Sequence, residues 1–218
     1  MLYTCKMKSF VFTVFVICCA VFTSAELECR SENIHVPTEW IDMKDFCVNS
    51  MRGQIEEELK AAMQYMAMGA HFSKDIVNKP GFAKTFFEAA SEERQHAIKL
   101  ISYLLMRGEL TSKVSELIKS RKLIPTKTSW PSGLEALKDA LKLEASVTQK
   151  IRKVIKVCED DHFNDYHLVD YLTGDFLTEQ YHGQRDIAGK VSTLEKLKQK
   201  HGALGEFLFD KKLLNGEL

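Results

Sequence analysis

The chain is 218 residues long, with 30 basic against 30 acidic side chains and 45% hydrophobic residues. That length holds one or two domains and buries a real core, and with 4 Pro and 11 Gly the composition excludes a disordered or collagenous chain. Balanced charge leaves no cationic excess to drive binding to nucleic acid.

Lys6 and Lys8 precede an apolar run from Phe10 to Phe22, broken only by Thr13, and Thr23-Ser24-Ala25 follows as a small-residue cleavage site. This order predicts a secretory signal peptide over residues 1–25, with Glu26 as the new N-terminus. The run falls short of the roughly 20 apolar residues that a spanning helix needs, so no membrane span is expected after cleavage. Cys5, Cys18 and Cys19 leave with the signal, and Cys29, Cys47 and Cys158 remain. An odd count in an oxidising compartment predicts one internal bridge, plus a thiol that is free or bonded to another subunit. The sequence does not fix which two pair. Cys29 with Cys47 is preferred, because both lie in or near one short N-terminal segment. Residues 26–43, with Pro37 and Trp40, read as an extension ahead of a single domain over 44–218.

Apolar residues recur at helical spacing from about 44 to 73, through Val48, Met51, Ile55, Leu59, Ala62, Met63, Met66 and Ala70. After Asn78-Lys79-Pro80-Gly81 a second helix is expected over about 81–107, carrying Phe82, Phe86, Ala89, Ala90, Ala97, Leu100, Ile101 and Leu104. Residues 108–130 are weakly periodic and form a connection longer than an antiparallel hairpin needs. Ser132 and Glu135 make a capping box for a third helix over about 132–158, with Leu134, Leu137, Leu141, Ala145, Thr148, Ile151 and Ile155 on its apolar face. A fourth helix is expected over about 163–198 through Leu168, Leu172, Phe176 and Ile187. His201-Gly202 ends it, ahead of a short fifth helix with Leu204, Phe207, Leu208 and Leu213. Four long helices, with one long crossover between the second and third, predict an all-α four-helix bundle.

Polar residues interrupt the faces that should be apolar. Glu58 sits between Ile55 and Ala62, and Tyr65 follows one heptad later. Glu93 and His96 form an E-x-x-H pair, whose i,i+3 spacing projects both from one side of a helix. Glu144 lies between Leu141 and Thr148, and Gln180 between Phe176 and Gly183. Each long helix thus points a metal-capable side chain inward. A buried carboxylate costs several kcal/mol unless it is paired or bound to a metal. Two divalent ions would neutralise the whole set, and a carboxylate-rich site with one imidazole and no thiolate favours iron or manganese.

Residues 45–214 resemble a heavy-type ferritin subunit. The matching stretches are Glu-Glu-Leu-Lys-Ala-Ala-Met-Gln-Tyr (57–65), Glu-Glu-Arg-Gln-His-Ala (92–97), Trp-Pro-Ser-Gly-Leu-Glu-Ala-Leu (130–137), Leu-Glu (143–144), Phe-Leu-Thr-Glu-Gln (176–180) and Glu-Phe-Leu-Phe-Asp-Lys (206–211). With the signal peptide and the cysteine-bearing extension, the chain is similar to secreted insect ferritin heavy chains. The resemblance implies a ferritin-like fold and a ferroxidase that oxidises two Fe(II) ions with O2 or peroxide. The product would be stored as ferric mineral within a 24-subunit shell shared with light-type subunits. It also implies residence in the secretory pathway, in Golgi-type vesicles or the extracellular fluid. Glu58 and His96 would hold the first iron and Glu93 would bridge to the second. Glu144, with Glu92, would complete the second site, while Gln180 orients a water or oxygen species and Tyr65 hydrogen-bonds within the centre.

Two departures stand out. Asp170 matches one acid of the family's threefold pore, but Thr173 occupies the place of a usual glutamate, so Asp160, Asp161 or Asp165 are candidates for admitting iron. A di-iron oxygenase on the same bundle would carry a second Glu-x-x-His, whereas Val147 stands three residues after Glu144.

Overall fold

The computed structural model describes residue 37 and residues 39–109, 123–160 and 162–218. The signal peptide, Cys29, most of the crossover and Asp161 lie outside the described residues. The elements are α1 (Asp45–Phe72), α2 (Pro80–Met106), α3 (Gly133–Cys158), β1 (Glu159–Asp160), β2 (Phe163–Asn164), α4 (Tyr166–Tyr171), a π-helical turn (Leu172–Leu177), α5 (Thr178–His201) and α6 (Ala203–Asn215). α4, the π turn and α5 run on without a break, giving the fourth long helix. α1 packs on α2 and α3, α3 packs on α5, and α6 closes against α2 and α5. This is the expected all-α bundle with one long crossover and a short fifth helix. No helix among the described residues is long and apolar enough to cross a membrane.

Local chemistry sets the boundaries. Pro80 opens α2 at a position where its missing N–H costs nothing. Ser132 Oγ accepts from Glu135 N at 3.3 Å, the forward half of the expected capping box. The fourth helix begins at Tyr166, not near 163, because Phe163 and Asn164 are taken up by an antiparallel ladder with Asp160 and Glu159. Asp165 then caps the helix by accepting from Leu168 N at 3.2 Å. Gly202, at a φ of 57°, turns the chain from α5 into α6.

α6 supplies acceptors to two other helices. Asp210 Oδ1 accepts from Phe82 N at 3.0 Å, at the head of α2. Glu206 Oε1 accepts from Gly133 N at 2.7 Å, at the head of α3, and its carboxylate also meets Lys79 and Lys198. These acids occupy helix N-termini, where free N–H groups and the helix dipole favour negative charge. The far end of the crossover is fixed by amides and rings: Gln64 Oε1 accepts from Thr126 N at 2.9 Å, Gln64 Nε2 donates to Lys127 O at 2.7 Å, and His71 Nε2 lies 2.9 Å from Trp130 O.

The expected cysteine pairing is overturned. Cys47 is bonded to Cys158, with Cα atoms 5.2 Å apart and 111 residues between them. Both are fully buried where the head of α1 meets the tail of α3. Closeness along the chain was a poor guide, because an antiparallel bundle brings the start of one helix beside the end of another. The apolar stripe of α1 is also corrected: Met66 and Ala70 are exposed, while Gln54, Ala61, Gln64, Met68 and Phe72 are buried. Removing the bridge by Cys158→Ser is expected to cost about 2–5 kcal/mol. Denaturant titration should give the same lowered midpoint for Cys47→Ser, Cys158→Ser and the double variant, since each removes the same cross-link.

Candidate metal centre

The core consists of two apolar halves with a polar layer between them. Ile55, Ala61, Ala97, Val147, Ile151 and Phe176 belong to one half, and Tyr65, Ala90, Leu137, Ala140 and Leu194 to the other. Glu58 on α1, Glu93 and His96 on α2, Glu144 on α3 and Gln180 on α5 fall at the junction, and all five are buried. The helical period that builds the stripes therefore also aligns these side chains at one height.

The tightest group is Glu58, Glu93 and His96, whose ligand atoms all lie within 4.8 Å of one another. Three evenly spaced ligand atoms at roughly 2.1 Å from one ion are at most roughly 3.6 Å apart, so a contraction of about an ångström closes the trio around one cation. His96 Nδ1 lies 3.7 Å from Glu93 Oε1 and 3.9 Å from Glu58 Oε2. His96 Nδ1, Glu58 Oε2 and Glu93 Oε2 are buried and lack hydrogen-bond partners among the described residues. Unpartnered buried polar atoms are expensive, and three of them on the residues of one tight group leave a place for a cation. A cavity of about 220 Å³ adjoins them, lined also by Tyr65, Glu92, Glu144, Glu179 and Gln180.

Electrostatics tie the two sides of this cavity together. Burial pushes the Glu58 carboxyl well above the usual carboxylate range, and the neighbouring Glu93 pushes it further. Burial, followed by the charge of Glu144, raises Glu93 to about 8. Glu144 is raised by burial, against the opposing hydrogen bonds of Tyr65 and Gln180. Glu93 is thus coupled to Glu58 on one side and to Glu144 on the other.

The remaining expected residues have separate surroundings. The Tyr65 hydroxyl donates to Glu144 Oε1. Gln180 Oε1 accepts from Thr148 Oγ1 at 2.7 Å, which leaves its amide to donate towards Glu144. Gln184 Nε2 holds Thr148 in turn, at 2.6 Å. Glu92 is exposed overall and stands on the cavity wall outside the tight trio; burial of its carboxyl raises it too. Of the acids considered for admitting iron, Asp165 is buried, caps α4 and pairs with Arg107 at 2.9 Å, so it is committed elsewhere. Asp170 and Thr173 are exposed, and the Thr173 hydroxyl donates back to Val169 O at 2.7 Å.

Three contacts went unread in the sequence. Gln54 Nε2 donates to Glu58 Oε1 at 2.8 Å, and its place one turn before Glu58 on the same stripe was the available signal. Thr148, on the expected apolar face of α3, stands one turn after Glu144 and gives its hydroxyl to Gln180. Glu179 Oε1 lies 3.1 Å from His96 Nε2. Burial would raise Glu179, but His96 and Lys99 outweigh it and hold the carboxyl below its usual range.

A protein-family comparison matches residues 49–197 to the family described as Ferritin-like domain. The chain belongs to the ferritin family. The ferritin heavy chain of Trichoplusia ni is 64% identical over 188 residues, 86% of this chain and 88% of that one. The ferritin heavy chain of Papilio xuthus is 55% identical, covering 97% of this chain and 100% of its own length. The crystal structure of Trichoplusia ni secreted ferritin superposes with a TM-score of 0.82 at 64% identity, covering 86% of this chain and 98% of that chain. Membership supports iron storage, iron binding and assembly into a multi-subunit shell.

For this ferritin the raised carboxyls set the direction of a pH response. Folded Glu93 keeps its proton up to about pH 8, whereas the unfolded carboxyl releases it near 4.5. The folded state therefore binds more protons in that window, and stability falls as pH rises through it. Thermal unfolding of metal-free protein should show a melting temperature that declines from about pH 5 to about pH 8. Divalent cation added at the upper pH should recover the loss, because the ion replaces the protons. A melting temperature that is flat across this range would mean the acids are solvated.

Proposed function

We propose that this ferritin subunit is a ferroxidase, oxidising two Fe(II) ions per subunit with O2 or peroxide and passing ferric iron to a mineral in the shell. The observation that carries the reading is the trio of Glu58, Glu93 and His96, whose ligand atoms lie within 4.8 Å of one another and each of which keeps a buried, unpartnered polar atom, with Glu144 coupled electrostatically to Glu93. Glu58 and His96 hold the first ferrous ion, Glu93 bridges, and Glu144 with Glu92 holds the second. A carboxylate-rich shell stabilises the ferric state over the ferrous one, which favours loss of an electron to the oxidant. Protonated carboxyls must release their protons as iron arrives, so uptake and proton release are linked.

The surrounding groups act as positioning residues. Gln54 holds Glu58 through Oε1 and leaves Oε2 facing the ion. Tyr65 fixes one oxygen of Glu144, and the chain from Gln184 through Thr148 orients the Gln180 amide towards the same carboxylate or a water beside it. With a single histidine, the site holds its ions less firmly than a centre with two nitrogen-rich arms, as suits a substrate that must leave for storage.

The wider reading follows the resemblance. The chain enters the secretory pathway through residues 1–25, loses that segment, and assembles with light-type subunits in a 24-subunit shell retained in Golgi-type vesicles or exported. Cys29, the cysteine left over by the Cys47–Cys158 bridge, is the candidate for a bond to another subunit.

Glu58→Ala with His96→Ala is expected to slow the initial growth of ferric absorbance by about 100-fold or more, without loss of assembly. Gln54→Ala, which leaves every ligand present but releases Glu58, should slow it by about 10-fold. Oxidation at the wild-type rate in the double variant, followed by stopped-flow absorbance, rules the site assignment out.

A further inference from the structure

A run of aromatic rings leaves the metal centre and ends at the surface. The His96 ring lies 5.8 Å, centroid to centroid, from Phe176. Phe176 meets Tyr171 edge-on at 5.4 Å, and Tyr171 stacks on Tyr103 at 4.8 Å with 14° between the planes. The Tyr103 ring in turn lies 5.6 Å from that of His167. Aromatic pairs pack well in any core, so proximity alone says little. The environment of the Tyr103 hydroxyl is more specific.

That hydroxyl accepts from Arg107 Nη1 at 2.8 Å and lies 2.8 Å from His167 Nδ1. A guanidinium has no lone pair to accept with, so the phenolic proton is left to His167 Nδ1, which accepts it when the imidazole hydrogen is on Nε2. Tyr103 is 4% exposed, whereas His167 is exposed. Burial raises the phenol to about 12 and keeps it protonated in the resting protein. A phenol gives up an electron far more readily when its proton has somewhere to go. Tyr103 has that base, and the base has water beyond it. Iron binding as described above uses neither tyrosine.

We propose that Tyr103 and Tyr171 form a one-electron donor pair that completes the reduction of peroxide when it meets a centre holding a single ferrous ion. The proposal rests on the ferroxidase reading. Cleaving the O–O bond of hydrogen peroxide to two hydroxides takes two electrons, and one Fe(II) supplies only one. The balanced step is Fe(II) + H2O2 + Tyr–OH + His → Fe(III) + 2 OH− + Tyr–O• + HisH+. Iron and tyrosine are each oxidised by one electron, and both electrons go to the O–O bond. Tyr171 passes its electron across the Phe176 ring towards His96, and Tyr103 refills Tyr171 as its proton moves to His167 Nδ1. Phe176 serves as a bridge and not a stop, since it has no hydroxyl proton to shed. Without the pair, the same encounter releases a hydroxyl radical beside the ligands. Tyr65 is the nearer phenol, but its proton is held by Glu144, itself a proposed ligand of the centre.

The test uses the assembled full-length protein, loaded anaerobically with one Fe(II) per centre, mixed with hydrogen peroxide and freeze-quenched for electron paramagnetic resonance. Wild type should give a tyrosyl radical signal that changes width with ring-deuterated tyrosine. The signal should be lost in Tyr103→Phe, where a spin trap should report more hydroxyl radical. His167→Ala should diminish it, because the proton loses its acceptor. Absence of a radical in wild type, or an unchanged signal in Tyr103→Phe, overturns the donor pair. Oxidation of two Fe(II) per centre by O2 is followed on the same samples. Fast oxidation with no radical sinks the relay alone, whereas slow oxidation in wild type sinks the ferroxidase reading beneath it.

Discussion

The organisation of this protein depends on carboxylates that have been taken out of water. Three glutamates and a histidine lie in one layer between two apolar halves of a helical bundle. In water each acid would be ionised and harmless; here desolvation forces a choice between holding a proton and holding a metal. The fold does not remove the conflict. It keeps the acids in register so that one cluster of cations, or one set of protons, can resolve it.

Keeping that register demands rigidity on all four sides of the layer. α1 is held to α3 by the Cys47–Cys158 bridge at one end, and its Gln64 and His71 grip the incoming crossover towards the other. The fourth helix is secured differently. Leu168, Leu172, Phe176 and Gln180 are all buried at a strict spacing of four, which an α-helix of 3.6 residues per turn carries progressively off one face. The π-helical turn over Leu172–Leu177 widens the helix and absorbs that drift. Gln180 therefore still faces Glu144, and Glu179 comes to His96.

Most of the bundle was legible because burial imposes a period, and the polar exceptions to that period were legible for the same reason. Glu58, Glu93, His96, Glu144 and Gln180 each break an apolar stripe with an acid, an imidazole or an amide. Where hydrophobicity alone was followed, it misled: Met66 is apolar and exposed, while Gln54 and Gln64 are polar and buried because each has a specific partner. Pairings between distant segments were out of reach. Nothing in the local sequence says that Cys47 meets Cys158, that Arg107 claims Asp165, or that a π turn precedes Glu179. Those depend on which helix ends come together, and that is decided only after the stripes have packed.

The last helix has a consequence for how the molecule is made. α6 provides Asp210 to the first N–H groups of α2 and Glu206 to those of α3. Chains emerge from the ribosome N-terminus first, so both of those helices are synthesised well before the residues that complete them. The bundle can collapse early, but two of its helices begin with unsatisfied donors until α6 is released. A chain cut before α6 would keep Glu58, Glu93, His96 and Glu144 and still lack the acceptors that complete the heads of α2 and α3, which makes α6 a built-in check on the bundle's assembly.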